Sequence, residues 1–306
     1  MRNSFIVFTL FAATTFLAAR TKEEGRLLRR DQVSIYYEVR GVGPRTPFVL
    51  VNGGPGFDHA YLHVSDVWDR LAKDRPVVFY DQRGNGKSSA IPTGVSNSLQ
   101  DEIEDLEALR AHLGYEKFDL LGHSWGGYVV MAYAARHPER IAHLVIADSA
   151  APKWSDTKFL FDDVFPEAME RYNSFNFGDM LGDQAATDAQ IREYLQLLFY
   201  DPKKRDEFVS QSSAFVFTKS VSAALNADFA RFDLNPELPK FRIPTLVVTG
   251  RFDINVAPSV AWKIHRAIPQ SRFVVFDRSG HLPFFEEPEA FLRTVKEFLD
   301  GEAVTR

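Results

Sequence analysis

From residue 33 onward, short apolar runs alternate with longer stretches in which apolar residues recur every three or four positions. Val33 to Val39 alternates in polarity and is rich in β-branched and aromatic residues, which predicts an edge strand. The runs 47–52 and 76–80 are almost wholly apolar and predict buried strands; they lead into Gly53-Gly54-Pro55-Gly56 and Asp81-Gln82-Arg83-Gly84. A helix is expected over 98–113. Ser98 and Asp101 form a capping box, Leu99, Ile103, Leu106, Leu109 and Leu113 share one face, and Gly114 stops it. A strand over 117–121, a helix over 128–136 closed by Pro138, and a strand over 141–147 follow. The alternation then breaks off. Residues from about 152 to 238 are helical in pattern, with many aromatic and charged side chains. Strand, helix, strand, helix resume at 244–249, 257–268, 272–276 and 288–299.

Continuous apolar strands separated by amphipathic helices define an α/β architecture, a mostly parallel sheet with helices on both faces. The long helical stretch is an insertion after a central strand, where a cap or lid sits. The expected organisation is a leader over 1–19, core over 20–151, helical cap over 152–240, and core again over 241–306. At 306 residues the chain can bury a large core without metal or disulfide support. It has no cysteine, which excludes disulfides, a thiolate nucleophile and thiolate metal sites. The net charge of −5 gives no basic face for nucleic acid.

The N-terminus carries one further signal. Arg2 precedes an apolar run from Phe5 to Ala19, interrupted only by threonines, and a charged stretch follows. Its length and flanks fit an export signal rather than a full membrane span, placing the mature protein outside the cytoplasm or in a periplasm with no stable membrane association. The alternative is an uncleaved anchor.

Candidate chemistry centres on Gly122-His123-Ser124-Trp125-Gly126, between an expected strand and an expected helix. Gly-x-Ser-x-Gly at such a junction describes a nucleophile elbow, a turn that holds the serine hydroxyl clear of the backbone near the positive end of a helix. A serine hydroxyl needs a base to take its proton and an acid to orient that base. Two later loops at strand ends supply them: Gly250-Arg251-Phe252-Asp253 and Asp277-Arg278-Ser279-Gly280-His281. The order Ser124, Asp253, His281 is the one expected for this topology. Asp148 also ends a strand and competes with Asp253, but it can instead cap the first turn of the insertion.

An oxyanion needs donors as well. The backbone N–H of Trp125 is one. The second is assigned to the glycine loop, at Gly54 with Gly53 as alternate, because glycine lets backbone approach a ligand closely. The run Asp81–Ser88 resembles a phosphate loop only superficially, since Asp81 stands where the first glycine is required. Asp81 and Arg83 are expected instead to fold that loop through charge-assisted hydrogen bonds.

Together, Asn52-Gly53-Gly54-Pro55-Gly56, Asp81-Gln82-Arg83-Gly84 with Lys87-Ser88, Gly122–Gly127, Gly250–Asp253 and Gly280-His281 resemble the α/β-hydrolase superfamily, and within it the prolyl iminopeptidase family. The resemblance implies an α/β-hydrolase fold with a helical cap, no metal or organic cofactor, and a serine peptidase releasing N-terminal proline from a small peptide or amide. The family usually has His where this chain has Asn52, and Asn is expected to keep bonding the loop. The family also holds the substrate amine with cap glutamates. Glu167 and Glu170, with Asp162 and Asp163, are candidates by composition, although acids on such helices are usually solvated. Trp154 and the phenylalanines at 159, 161, 165, 215 and 217 either line an apolar pocket or pack the cap on the core. Carboxylesterase or lactonase chemistry on the same triad is the alternative function. A ligand-binding protein of the same fold would need none of the three side chains.

Overall fold

A computed structural model of the chain describes residues 22–30, 32–176, 183–211, 214–229 and 231–302. The expected leader over 1–19 lies outside the described residues. Eight strands form one sheet: β1 (Lys22–Arg30), β2 (Val33–Arg40), β3 (Phe48–Val51), β4 (Val77–Tyr80), β5 (Phe118–His123), β6 (Ile141–Ala147), β7 (Thr245–Gly250) and β8 (Arg272–Phe276). Their spatial order is β1-β2-β4-β3-β5-β6-β7-β8. β1/β2 and β2/β4 pair antiparallel, and every other pair is parallel.

Along the central strands successive side chains enter opposite layers. Val49 and Val51 of β3 join one core, with Leu120 and Val247, while Phe48 and Leu50 join the other, with Leu121 and Val248. Burial on both faces is what turns these strands into unbroken apolar runs. On one side α2 (Leu99–His112), α3 (Trp125–Arg136) and α9 (Pro258–Ala267) cover the sheet; on the other lie α1 (Val67–Leu71), α10 (Pro283–Glu286) and α11 (Pro288–Leu299). The capping box on α2 is formed: Ser98 Oγ accepts from Asp101 N, and Asp101 Oδ2 accepts from Ser98 N. Five helices stand between β6 and β7 among the described residues: α4 (Phe161–Val164), α5 (Pro166–Ser174), α6 (Gln184–Gln196), α7 (Pro202–Gln211) and α8 (Lys219–Phe229).

Two expectations need correction. The 33–39 strand is not at the edge, because β1 pairs outside it. The sequence of β1, Lys-Glu-Glu-Gly-Arg-Leu-Leu-Arg-Arg, has no apolar alternation to announce it. Charge of this kind belongs on terminal strands, where it deters further pairing. The helix after the elbow begins at Trp125 rather than Tyr128. Gly126 and Gly127 look like breakers but sit inside the helix because it passes very close to its neighbours. A Cβ on Gly126 would lie 2.1 Å from the Val51 carbonyl oxygen, and one on Gly127 would lie 2.3 Å from Ser149 Oγ. No helix of the described residues is long and apolar enough to cross a membrane.

Candidate active site

Ser124 sits between β5 and α3 with φ 57° and ψ −119°. That backbone is unfavourable for a residue with a Cβ, and it persists only where surrounding bonds hold it. Here Ser124 N donates to the Ala147 carbonyl at 2.9 Å, and the Ser124 carbonyl accepts from Gly127 N at 3.0 Å. The preceding glycine is required by space: a Cβ on Gly122 would meet the Gly126 carbonyl oxygen at 2.2 Å. The serine is thereby thrust into a cavity at the C-terminal ends of the strands.

His281 lines the same cavity as Ser124. Its Nδ1 lies 2.8 Å from Asp253 Oδ2, and both residues are buried. A carboxylate only accepts, so Nδ1 carries the proton and Nε2 the lone pair. Asp253 is itself fixed, its Oδ1 accepting from Asn255 N and Val256 N at 2.9 Å each. In this state Nε2 accepts from Asn255 Nδ2 at 2.9 Å rather than bonding Ser124 Oγ. Tyr194 of α6 reaches Asn255 in turn. Neither Asn255 nor Tyr194 carries a signal in the sequence, since their roles follow from packing between distant segments.

Asp148 does not orient the histidine. It is buried, its Oδ1 accepts from Gly250 N at 2.9 Å, and its carboxyl lies against Asp253. Burial, then the charge of Asp253, pushes its pKa well above the ordinary aspartate value, which favours its protonated form.

The glycine loop is wired to the elbow through side chains. The His281 carbonyl accepts from His123 Nε2 at 2.8 Å. His123 is fully buried, and burial pushes its pKa well below the usual value, so it is neutral and its Nδ1 must accept. Tyr61 Oη donates to that Nδ1 at 2.7 Å and accepts from Gly53 N at 2.5 Å. The Gly53 N–H is therefore committed. Gly54, the next residue, stays at the cavity beside Ser124 and Trp125. Asn52 bonds the loop as expected, Nδ2 donating to the carbonyls of Gly53 (2.9 Å) and Phe57 (2.8 Å). Gln82 bridges from the Asn52 carbonyl to the Trp125 indole at 2.8 and 2.9 Å. Asp81 and Arg83 serve their loop: Asp81 Oδ2 accepts from Lys87 N at 2.7 Å, and Arg83 makes a two-pronged pair with Asp105 at 2.7 and 2.9 Å.

Tyr61→Phe removes both the acceptor for Gly53 and the donor to His123. We expect kcat to fall about 10- to 100-fold, the scale of a small misplacement of a reacting group. Steady-state kinetics on the variant, with kcat and KM resolved, checks this. An unchanged kcat would leave Tyr61 a packing residue only.

Two connected spaces open at Ser124. One, of about 30 Å³, lies among Tyr61, Leu195, Leu198, Phe208, Phe215 and His281. The other, of about 220 Å³, is walled by Trp125, Trp154, Phe161, Met169, Tyr172 and Asn255. Trp154, Phe159, Phe161 and Phe215 thus face the cavity. Phe165 is exposed, and Phe217 packs on Phe57. Glu167 and Glu170 are not brought to the site. They stand exposed on α5, as do Asp162 and Asp163 on α4, and among the described residues no carboxylate lines either space. On α5 it is Met169 and Tyr172 that face the cavity, because a helix presents one stripe and the acids fall off it.

Fold and site together define an α/β hydrolase, and residues 46–288 match the family described as alpha/beta hydrolase fold. A proline iminopeptidase of Saccharolobus solfataricus is 29% identical over 283 residues, covering 88% of this chain and 89% of that protein. One from Lactobacillus helveticus is 31% identical over 285 residues, covering 87% and 94%. The chain belongs to the proline iminopeptidase family of α/β hydrolases. Among solved structures, a thermophilic esterase from Thermogutta terrifontis superposes with a TM-score of 0.68 at 27% identity, covering 92% of this chain and 98% of that one.

Proposed function

We propose that the protein is a serine aminopeptidase that releases an N-terminal proline, or a residue of similar shape, from short peptides or amides. The observation that carries this reading is the buried pair of Asp253 and His281, 2.8 Å apart, in one cavity with the strained Ser124. Ser124 Oγ attacks the substrate carbonyl while His281 Nε2, released from Asn255, takes the hydroxyl proton. The N–H groups of Trp125 and Gly54 hold the oxyanion. Collapse expels the amine, which takes the proton from His281. Water then attacks the acyl-enzyme with His281 as base, freeing the acid and restoring Ser124.

Residues 152–240 act as a cap over this site. The apolar space beside Trp154 and Phe161 suits a pyrrolidine ring. Hydroxyl and amide groups of Tyr172, Tyr194 and Asn255 meet the substrate amine in place of a carboxylate. The lack of a carboxylate among the described lining residues favours one second reading, ester or lactone hydrolysis by the same three side chains. Export is part of the proposal and rests on the run from Phe5 to Ala19.

A panel of aminoacyl-anilides and p-nitrophenyl esters separates the readings. The expected result is turnover of proline-p-nitroanilide that is lost when the proline nitrogen is acylated. Rapid ester cleavage with no anilide turnover would replace the peptidase reading by the esterase one.

A further inference from the structure

Beyond the catalytic cavity, one cluster of side chains has the composition and spacing of a metal site. Glu38 projects from β2, and His59 and His63 stand four residues apart on the 3-10 turn His59–Val64. His59 Nε2 lies 3.6 Å from Glu38 Oε1, and His63 Nε2 lies 3.6 Å from Glu38 Oε2. One ligand atom from each residue falls within 4.8 Å of the other two. A separation of 3.6 Å is too long for a hydrogen bond. The two contacts run to different oxygens of Glu38, and each is a little longer than the edge of a zinc tetrahedron, roughly 3.3–3.4 Å for bonds of about 2.0–2.1 Å, so a small turn of the carboxylate brings the three residues to one ion.

The surroundings fit the same reading. His59 Nδ1 lies 2.6 Å from Asp81 Oδ1. That contact puts a proton on Nδ1 and aims Nε2 at Glu38, the outer-shell arrangement typical of metal-bound histidine. Burial opposes charge on His59, but Asp81 and Glu38 raise its pKa to about 9, so an incoming ion displaces a proton from Nε2. Glu38 Oε2 is buried without a hydrogen-bond partner. Glu38 and His59 are 7% and 4% exposed, whereas His63 is half-buried, which leaves a route in from solvent. Two cations also stand near Glu38, Arg40 Nη2 at 3.9 Å from Oε2 and Lys87 Nζ at 3.9 Å from Oε1, and each has a closer partner elsewhere. Arg40 bonds Asp69 at 2.9 Å, and the exposed Lys87 bonds Tyr36 Oη at 3.1 Å. Tyr36 Oη in turn donates to Glu38 Oε1 at 2.9 Å.

We propose that Glu38, His59 and His63 bind one divalent transition-metal ion of the zinc class, with a fourth position left for water. Two imidazoles and a carboxylate suit Zn²⁺, Co²⁺ or Ni²⁺ rather than Mg²⁺ or Ca²⁺. The ion ties β2 to the turn that carries Tyr61, whose hydroxyl holds the glycine loop at Gly53. Its role is structural, and it binds independently of substrate.

The test is Zn²⁺ titration of the chelator-stripped full chain by calorimetry, beside His63→Ala and Glu38→Gln. The expected result is one Zn²⁺ per chain, with at least about 100-fold weaker binding in His63→Ala, since even outer-shell changes cost about 10–100-fold. Thermal melting should shift upward with Zn²⁺ in the wild type and much less in His63→Ala. Co²⁺ supplies a readout free of folding effects: intense tetrahedral d–d bands in the wild type, lost in Glu38→Gln. No saturable Zn²⁺ binding, or equal binding by wild type and His63→Ala, would overturn the proposal and leave His59 as a protonated bridge between two carboxylates.

Discussion

Ser124→Ala lowers kcat by about 10⁶-fold on proline-p-nitroanilide or on any ester the protein cleaves, the scale seen when the nucleophile of a Ser-His-Asp unit is deleted. The residual rate stays about 10³-fold above the uncatalysed reaction, because the glycine loop, the Trp125 N–H and the cavity walls are untouched. KM changes little, since the hydroxyl contributes to the covalent step rather than to holding the ground state. Alanine keeps the Cβ and so keeps the strain at φ 57°; the bonds donated to Ala147 and accepted from Gly127 use backbone atoms only. The variant therefore folds like the parent, and circular dichroism with thermal melting confirms that the loss is chemical. A fluorophosphonate probe labels the parent at Ser124 and leaves the variant unlabelled. Turnover within tenfold of the parent would remove Ser124 from the mechanism.

How much of this site can be read in the sequence depends on whether a side chain is fixed by its neighbours in the chain or by its neighbours in space. The elbow is legible because its constraint is local. Glycines at 122 and 126 are dictated by carbonyl oxygens little more than 2 Å from where a Cβ would sit. Asp253 and His281 are legible because strand-end loops on a parallel sheet have a fixed place in the order of the chain. The capping box at Ser98 follows from a three-residue spacing. By contrast, Tyr61 and His123 are 62 positions apart, and Asn255 and His281 are 26 apart. Nothing in either local sequence marks such contacts. The acids of α5 show the opposite failure. Glu167 and Glu170 have the right chemistry for an ammonium group, yet the helix turns them outward and presents Met169 and Tyr172 instead. β1 escapes notice because its charged sequence lacks the alternation that half-buried strands show.

The two neighbouring aspartates give the sharpest contrast available from conservative changes. Asp253→Asn lowers kcat by about 10⁴-fold, the cost of presenting the base in the wrong tautomer. Its Oδ1 can still accept from Asn255 N and Val256 N, which leaves Nδ2 facing His281 Nδ1. Two donors cannot face each other, so Nδ1 becomes the acceptor, Nε2 carries the proton, and the lone pair needed by Ser124 is gone. Asp148→Asn does little to activity, within about threefold, because a buried carboxyl held protonated is closely mimicked by an amide. The amide oxygen accepts from Gly250 N, and the NH₂ takes the place of Oδ2, which is buried close to Asp253.

The same pair separates by pH. In the folded wild type Asp148 keeps its proton well above the ordinary value of 3.8, whereas the unfolded chain releases it there. The folded state thus binds more protons, and this contribution to stability is fully present below about pH 4 and lost as pH rises toward the folded pKa. Asparagine has no such dependence. The melting temperature of Asp148→Asn therefore gains on the wild type as pH is raised from about 4 to 7. Activity of Asp148→Asn as low as that of Asp253→Asn would show that both carboxylates are needed to orient His281, and a pH-independent difference in melting temperature would show that folded Asp148 holds no extra proton.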